Sequence, residues 1–398
     1  MTGRAAVRLL ASIARTGRSG RQLAPAAALR GIAPASDVRR VRRQREAAAD
    51  QLELARAAVY RELWSSAATA AGATVQELFG GFLEVSRGDA VTVVRTNLVE
   101  LDNPVTLDVA GDRPVAADRL AAAGLAVPEN ATFTLADARP ALALLEAHGR
   151  CVVKPAYGTG GGNGITCDVR TPDELVRAAL AAVRHCPQLV IERQLTGAEH
   201  RLLVLDGEVV GAVRRRRPSV VGDGRSTVTD LVVAENQRRL DAGGAEGLWL
   251  LDLSLDACLA LRRQGMTPRS VPAEGVAVVV AGAVNAGAPA DCDTEVPSPA
   301  LAAVATAAAA ALRLRLASVE VVCDDPDWGL VSGGGGLIEV NSTPGLTQHY
   351  QVSDPAGAER VAEPVLEVLL AEAAGRLRRP GRRGSRDWDE RTTPGHVA

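Results

Sequence analysis

The chain has 398 residues, with 47 acidic against 45 basic side chains and a formal net charge of −2. That length predicts two or more domains with ample chain to bury a core, and 47% hydrophobic with 23% charged residues excludes a chain disordered throughout. A charge so close to zero gives no general reason to bind nucleic acid or an anionic membrane, and no run of about 18 apolar residues offers a membrane span.

Within the basic count the split is uneven: Lys154 is the only lysine and every other basic residue is Arg. Ala, Gly, Arg and Pro are abundant and Lys, Phe, Tyr, Asn and Ile scarce, as a GC-rich coding sequence produces without functional demand. A lysine that survives such drift stands either by chance or because its chemistry is needed. Cys151, Cys167, Cys186, Cys258, Cys292 and Cys323 form no C-x-x-C pair and have no His at zinc-finger spacing. Neither a metal cluster nor a disulfide framework is expected, and the reducing cytoplasm is the expected location.

In chain order, residues 1–45 hold eleven Arg and one acid, Asp37. This stretch reads as an Arg/Ala-rich tail or an amphipathic helix, with an organelle transit peptide as the lesser alternative. From Arg45 to about Ala71 the spacing of Leu52, Leu54, Val59, Leu63 and Trp64 predicts a helix, and short alternating segments such as Val91–Arg95 follow. A small α/β segment is therefore expected over 46–112. Next come a helix at Pro114–Ala123, a strand at Cys151–Pro155, a helix at Thr171–Ala182 opened by Thr-Pro-Asp-Glu, and a strand at Leu189–Glu192. Asp206-Gly207 predicts a hairpin between Arg201–Leu205 and Glu208–Val213. A long Ala-rich helix, about Pro299–Leu314, leads to the strand Ser318–Cys323, a turn-rich connector through Gly333–Gly336, and the strand Leu337–Asn341. The polar end, 375–398, is expected to be disordered.

Four constellations carry chemistry. Lys154 ends an apolar strand and precedes Gly158-Thr159-Gly160-Gly161-Gly162-Asn163-Gly164, whose glycines let the backbone approach an anion. This is neither a P-loop nor a dinucleotide fingerprint, since no Gly-Lys-Ser/Thr follows and Ile165–Val169 reads as a strand. The strand Val190-Ile191-Glu192-Arg193-Gln194-Leu195 runs into Thr196-Gly197-Ala198-Glu199-His200-Arg201, a strand end able to offer backbone groups to a purine and a carboxylate to a ribose. Glu339 and Asn341 share one face of their strand, and Glu320 on the preceding strand can join them around a hard divalent cation. Arg214-Arg215-Arg216-Arg217 would alternate faces, two toward an anionic site and two toward solvent. Each has a plain alternative: a hairpin loop, surface carboxylates, a solvated edge face and a solvated charge run.

In this order and combination the motifs resemble the ATP-grasp superfamily of carboxylate–amine ligases over roughly Arg113 to Ala371, in particular the ATP-grasp domain of cyanophycin synthetases and of bifunctional glutathione synthetases. The shared elements are Val-Val-Lys-Pro with the glycine loop, the Glu-Arg strand with the Gly-x-Glu-x-Arg-Leu-Leu-Val segment, Arg-Arg-x-Pro leading to Val-Val-Gly-Asp-Gly, and Glu-Val-Asn-x-x-Pro-Gly. The resemblance implies an α/β (α+β) ATP-grasp fold, two α/β subdomains gripping ATP, with the grasp domain over 113–374. It also implies ATP and Mg²⁺ or Mn²⁺ as cofactors, amino-acid or peptide substrates, and a homo-oligomer.

By the same resemblance Lys154 binds the α- and β-phosphates. Gly160, Gly161, Gly162, Asn163 and Gly164 cover the triphosphate, Glu192, Arg193, Gln194 and Leu195 hold adenine, and Glu199 takes the ribose. Glu320, Glu339 and Asn341 are implied as metal ligands, and Arg201, Arg215 and Arg225 as neighbours of the transferred phosphoryl group. Three positions depart from the pattern: Arg113 replaces a nucleotide-binding lysine, Glu320 replaces the usual Asp, and Ser318 stands where D-alanine–D-alanine ligases carry an arginine. The muramyl-ligase half of cyanophycin synthetase does not follow, which favours single additions over polymerisation. The expected activity is amide formation through an acyl-phosphate; the alternatives are a non-catalytic ATP-binding module and a ligase acting on a ribosomal peptide.

Overall fold

The computed structural model describes residues 1–15, 28–160, 162–244, 248–284, 291–324 and 335–378. Strands β1 (Thr74–Leu78), β2 (Phe82–Arg87) and β3 (Ala90–Val94) form an antiparallel meander. It packs against the helices Ala49–Ala70 and Ala362–Arg378 through Trp64, Val85, Leu366 and Leu369.

A second sheet takes the order β4-β7-β5-β6, built from β4 (Asn130–Phe133), β5 (Cys151–Pro155), β6 (Thr166–Val169) and β7 (Leu189–Arg193). Cys151 and Val153 turn one face of β5 into a core with the helices Arg139–His148 and Pro172–Ala182. Thr171 caps the second of these, its hydroxyl accepting from Glu174 N–H at 3.2 Å. Lys154 points to the opposite face, because successive strand residues alternate.

The largest sheet runs β12-β9-β8-β13-β14, with β8 (Ala198–Leu205), β9 (Glu208–Arg215), β12 (Cys292–Thr294), β13 (Leu316–Cys323) and β14 (Gly336–Asn341). The β8–β9 turn is Asp206-Gly207, with φ of 48° and 86°, the left-handed pair a two-residue hairpin requires. Leu202, Val204, Val319 and Val321 bury one face under the helix Pro299–Ala311. The other face is divided. Leu203, Leu205 and Leu316 lie under the helices Ala49–Ala70 and Ala362–Arg378, while Glu199, Arg201, Glu320 and Glu339 continue the same rows as a polar floor. A further pair, β10 (Ser219–Val221) and β11 (Ala277–Val279), packs with the helices Val228–Ala242 and Leu255–Arg263.

The expected strands and helices from Pro114 to Asn341 form within a few residues of their expected bounds. Of the two readings of the N-terminal stretch, the structure follows the amphipathic helix rather than the tail: Gly3–Arg15 and Ala35–Ala47 are helices whose Leu10 and Val41 are fully buried. Leu54, read as an apolar core position, is 73% exposed. Gly333 and Gly334 of the connector and residues 379–398 of the polar end lie outside the described residues. No helix among the described residues is long and apolar enough to cross a membrane.

Candidate active site

A cleft of about 1510 Å³ separates the β4–β7 sheet from the polar floor of the five-stranded sheet. Eleven of the expected residues line it: Arg113, Lys154, Gly160, Gly162, Asn163, Gly164, Glu192, Arg201, Glu320, Glu339 and Asn341.

On the four-stranded sheet, Val152 of β5 lies opposite Glu192 of β7, so Lys154 is the diagonal neighbour of Glu192. Its Nζ donates to Glu192 Oε1 at 2.8 Å and to the Ile338 carbonyl of β14 at 3.2 Å. The only lysine thus spans the cleft, 5% exposed. The glycine loop joins β5 to β6. Gly164 has φ +79°, and a Cβ there would meet His185 Cδ2 at 2.7 Å and Pro155 Cγ at 2.9 Å, so only glycine closes the loop against the sheet. Gly161 lies outside the described residues.

On the floor the β-register does the assembling. Arg201 stands opposite Glu320, and Glu320 opposite Glu339, across three adjacent antiparallel strands. Glu199 stands opposite Arg215. Arg201 Nη1 donates to Glu320 Oε1 at 2.6 Å and its Nη2 to the Gly345 carbonyl at 3.3 Å. Arg215 joins Glu199 to Glu320, at 2.8 Å from Glu320 Oε2, and Asn341 Nδ2 donates to Glu320 Oε1 at 3.1 Å. Arg113 Nη2 donates to Glu339 Oε1 at 2.6 Å, while its Nη1 donates to the Pro155 carbonyl at 3.1 Å and Thr159 Oγ1 at 3.3 Å. Gly197 admits β8 so close to β13 that a Cβ would lie 2.5 Å from the Cys323 carbonyl carbon.

Burial opposes ionisation of Glu320, but Arg215 and Arg201 outweigh it and hold the carboxyl below its usual range. Glu199 moves the other way, raised chiefly by burial with only Arg215 as a close counterion. Burial also lowers the Arg201 pKa. Among the described residues no group of three or more His, Cys, Asp or Glu side chains stands assembled as a metal site. Even so, two opposed carboxylates and an amide are the donor chemistry a hard divalent cation takes.

The remaining expected residues fall elsewhere. Arg215 and Glu199 lie behind Glu320 rather than on the cleft surface, and only Arg215 of the four-arginine run is buried. Arg214 and Arg216 turn outward to Asp293, and Arg217 is exposed because β9 ends at Arg215. Arg225 is exposed in a turn organised by Asp223, apart from the cluster. The Arg193 and Gln194 N–H groups already donate to the Glu129 and Arg150 carbonyls at 2.8 and 3.0 Å, and Gln194 Oε1 accepts from Asp168 N–H at 3.0 Å. Leu195 packs beside Gly336. Two contacts escaped the sequence reading: Tyr60, whose hydroxyl accepts from Leu346 N–H at 3.1 Å, and Gln348, 3.4 Å from Arg215. Tyr60 carried a weak signal as one of three tyrosines in the chain.

No family model matches the chain. Cyanophycin synthetase of a Nostoc species is 30% identical over 277 residues, 68% of this chain and 30% of that protein. The glutathione biosynthesis bifunctional protein GshAB of Enterococcus faecalis is 32% identical over 195 residues, 48% of this chain and 26% of that one. A crystal structure of a bifunctional glutathione synthetase from Pasteurella multocida aligns with TM-score 0.48 and 24% identity, covering 76% of this chain and 42% of that chain. The chain therefore spans about 30% of the length of the cyanophycin synthetase it matches. The sequence likeness over two-thirds of the chain, together with the ordered motifs around the cleft, makes this chain a member of the ATP-grasp superfamily.

Proposed function

We propose that the chain joins a carboxylate to an amine at the expense of ATP, with an amino acid or short peptide among its substrates. A substrate carboxylate oxygen attacks the γ-phosphorus and ADP leaves. An amine nitrogen then attacks the acyl carbon of the resulting acyl-phosphate, gives up a proton, and phosphate departs. The observation that carries this reading is the floor of the cleft, where Arg201, Glu320 and Glu339 are locked in register opposite Lys154.

Around the floor of the cleft the cations are paired. Lys154, Arg113, Arg201 and Arg215 are each paired with one of Glu192, Glu339, Glu320 and Glu199. An unpaired charge in such a place would cost several kcal/mol, so the pairing stabilises the folded cleft. When phosphates enter, the cations have anions to turn to, and Glu320, Glu339 and Asn341 become free to hold a divalent metal, which neutralises phosphate charge when bound. Positioning and charge neutralisation are most of what phosphoryl transfer asks of a protein. Arg113, bonded to both Thr159 and Glu339, links the glycine loop to that exchange. The grasp module over 113–374 and the smaller segment before it are part of the same proposal.

The test is an ADP-release screen over pairs of amino acids and short peptides, with product masses recorded. One or more pairs should stimulate ADP formation and yield an amide. A folded protein that binds Mg-ATP stoichiometrically and turns over with no pair would instead be a nucleotide-binding module.

A further inference from the structure

The far wall of the cleft comes from outside the residues matched to the motifs. Arg42, Arg45, Ala49, Leu52 and Arg56 line it, and their three- and four-residue spacing makes them one face of the consecutive helices Ala35–Ala47 and Ala49–Ala70. Two of the three guanidiniums on that face have acid partners: Arg45 pairs with Asp252 and Arg42 with Glu46, both at 2.6 Å. Arg56 does not. Its guanidinium carbon lies 5.9 Å from the centroid of the Trp249 ring, and among the described residues no carboxylate is hydrogen-bonded to it.

The wall is fixed to the reacting centre. Tyr60, four residues on from Arg56, is buried in the same cleft, and its hydroxyl accepts from Leu346 N–H. The preceding carbonyl, Gly345, accepts from Arg201. Four helical residues advance about 6 Å, so Arg56 lies about one turn from the point where the helix touches the loop of the Arg201–Glu320 pair. Asn97 Nδ2, donating to the Thr343 carbonyl at 2.7 Å, ties the same loop from a second direction. A cleft of about 1510 Å³ also exceeds the roughly 300–1,000 Å³ of an ordinary ligand pocket, which leaves room beyond a nucleotide for a second substrate.

We propose that Arg56, backed by Trp249, binds a carboxylate of the amine-bearing substrate that takes no part in the reaction, so the acceptor is an amino acid or short peptide recognised by its own negative charge. Arg56 is exposed, and a planar guanidinium beside an aromatic ring can still offer its edge for two parallel hydrogen bonds to a carboxylate. The inference rests on the ligase reading above and specifies its second substrate.

The experiment compares each acceptor found in the ADP-release screen with its carboxamide, in the wild type, Arg56→Gln and Arg56→Lys. The wild type should favour the acid over the carboxamide by about tenfold or more in kcat/KM. Arg56→Gln should lose that preference through a higher KM for the acid rather than through kcat, and Arg56→Lys should recover part of it. A wild type indifferent to the carboxamide, or an Arg56→Gln that keeps the preference, overturns the inference while leaving the ligase reading intact. No acceptor-dependent ADP release in the wild type overturns both.

Discussion

At the scale of single residues, Lys154 can be separated from a generic positive charge. Its Nζ reaches Glu192 and the Ile338 carbonyl from a nearly closed position, where the bulkier guanidinium of an arginine would carry its charge to different points. Lys154→Arg should stay folded and lose about 100-fold or more of its ADP-forming turnover, the scale seen when one preorganised electrostatic contact is removed. A fully active variant would mean that the lone lysine survived by chance. His200 gives a pH-dependent counterpart. Burial alone would lower its pKa, but Cys323 and Glu295, whose carboxylate lies 2.7 Å from Nδ1, raise it to about 9. A raised histidine adds stability that is complete below the unfolded pKa of about 6.5 and disappears as pH rises through the folded value. Glu295→Gln should therefore lower the melting temperature more at about pH 6 than at about pH 10; an equal loss at both would rule out the charged pair.

At the scale of elements, the loop between β5 and β6 separates fold from ligand binding. Gly164 has both a left-handed φ and no room for a Cβ, whereas a Cβ at Gly160 meets nothing within 4 Å. Gly164→Ala should cost about 1–3 kcal/mol of stability, read from urea midpoints. Gly160→Ala should melt with the wild type yet raise KM for ATP, because a bound triphosphate would bring its own atoms against that otherwise open position. Unchanged ATP kinetics would remove the loop from the nucleotide site. The same contrast explains what was legible. Asp206-Gly207 and the strand faces around Glu320 and Glu339 are set by neighbours one or two residues away, so sequence suffices. The pairing of Arg113 with Glu339 joins residues 226 apart, and no local rule reaches it. The helix Val228–Ala242 went unread although Thr227 and Asp230 form a capping box. Its Arg239 is 1% exposed, held by Glu235 and the Trp249 carbonyl, and a buried arginine breaks the apolar period that marks a core-facing helix.

At the scale of the whole molecule, the N-terminal stretch is the part that composition misdescribes. Arg4, Arg8 and Arg15 are the charged residues of the helix Gly3–Arg15, yet its Ala6, Leu10 and Ile13 fall at four- and three-residue spacing on one face. That face closes the core of the four-stranded sheet β4-β7-β5-β6 alongside Leu175, Val176 and Leu145. The segment beyond is tied down as well, since Arg177 Nη1 donates to the Ala28 and Arg30 carbonyls at 3.0 and 2.7 Å. Adjacent leucines offer an internal control. Leu10 is fully buried and Leu9 is 43% exposed. Leu10→Ala should destabilise the protein by about 2–5 kcal/mol, the cost of removing a packed leucine and leaving a cavity, while Leu9→Ala should stay within about 0.5 kcal/mol. Urea unfolding of both variants reads the difference directly. A detached tail would leave both midpoints at the wild-type value; a helix integral to the sheet must separate them, and a lower midpoint for Leu10→Ala should carry with it weaker ATP binding, because the sheet it supports holds Lys154 and Glu192.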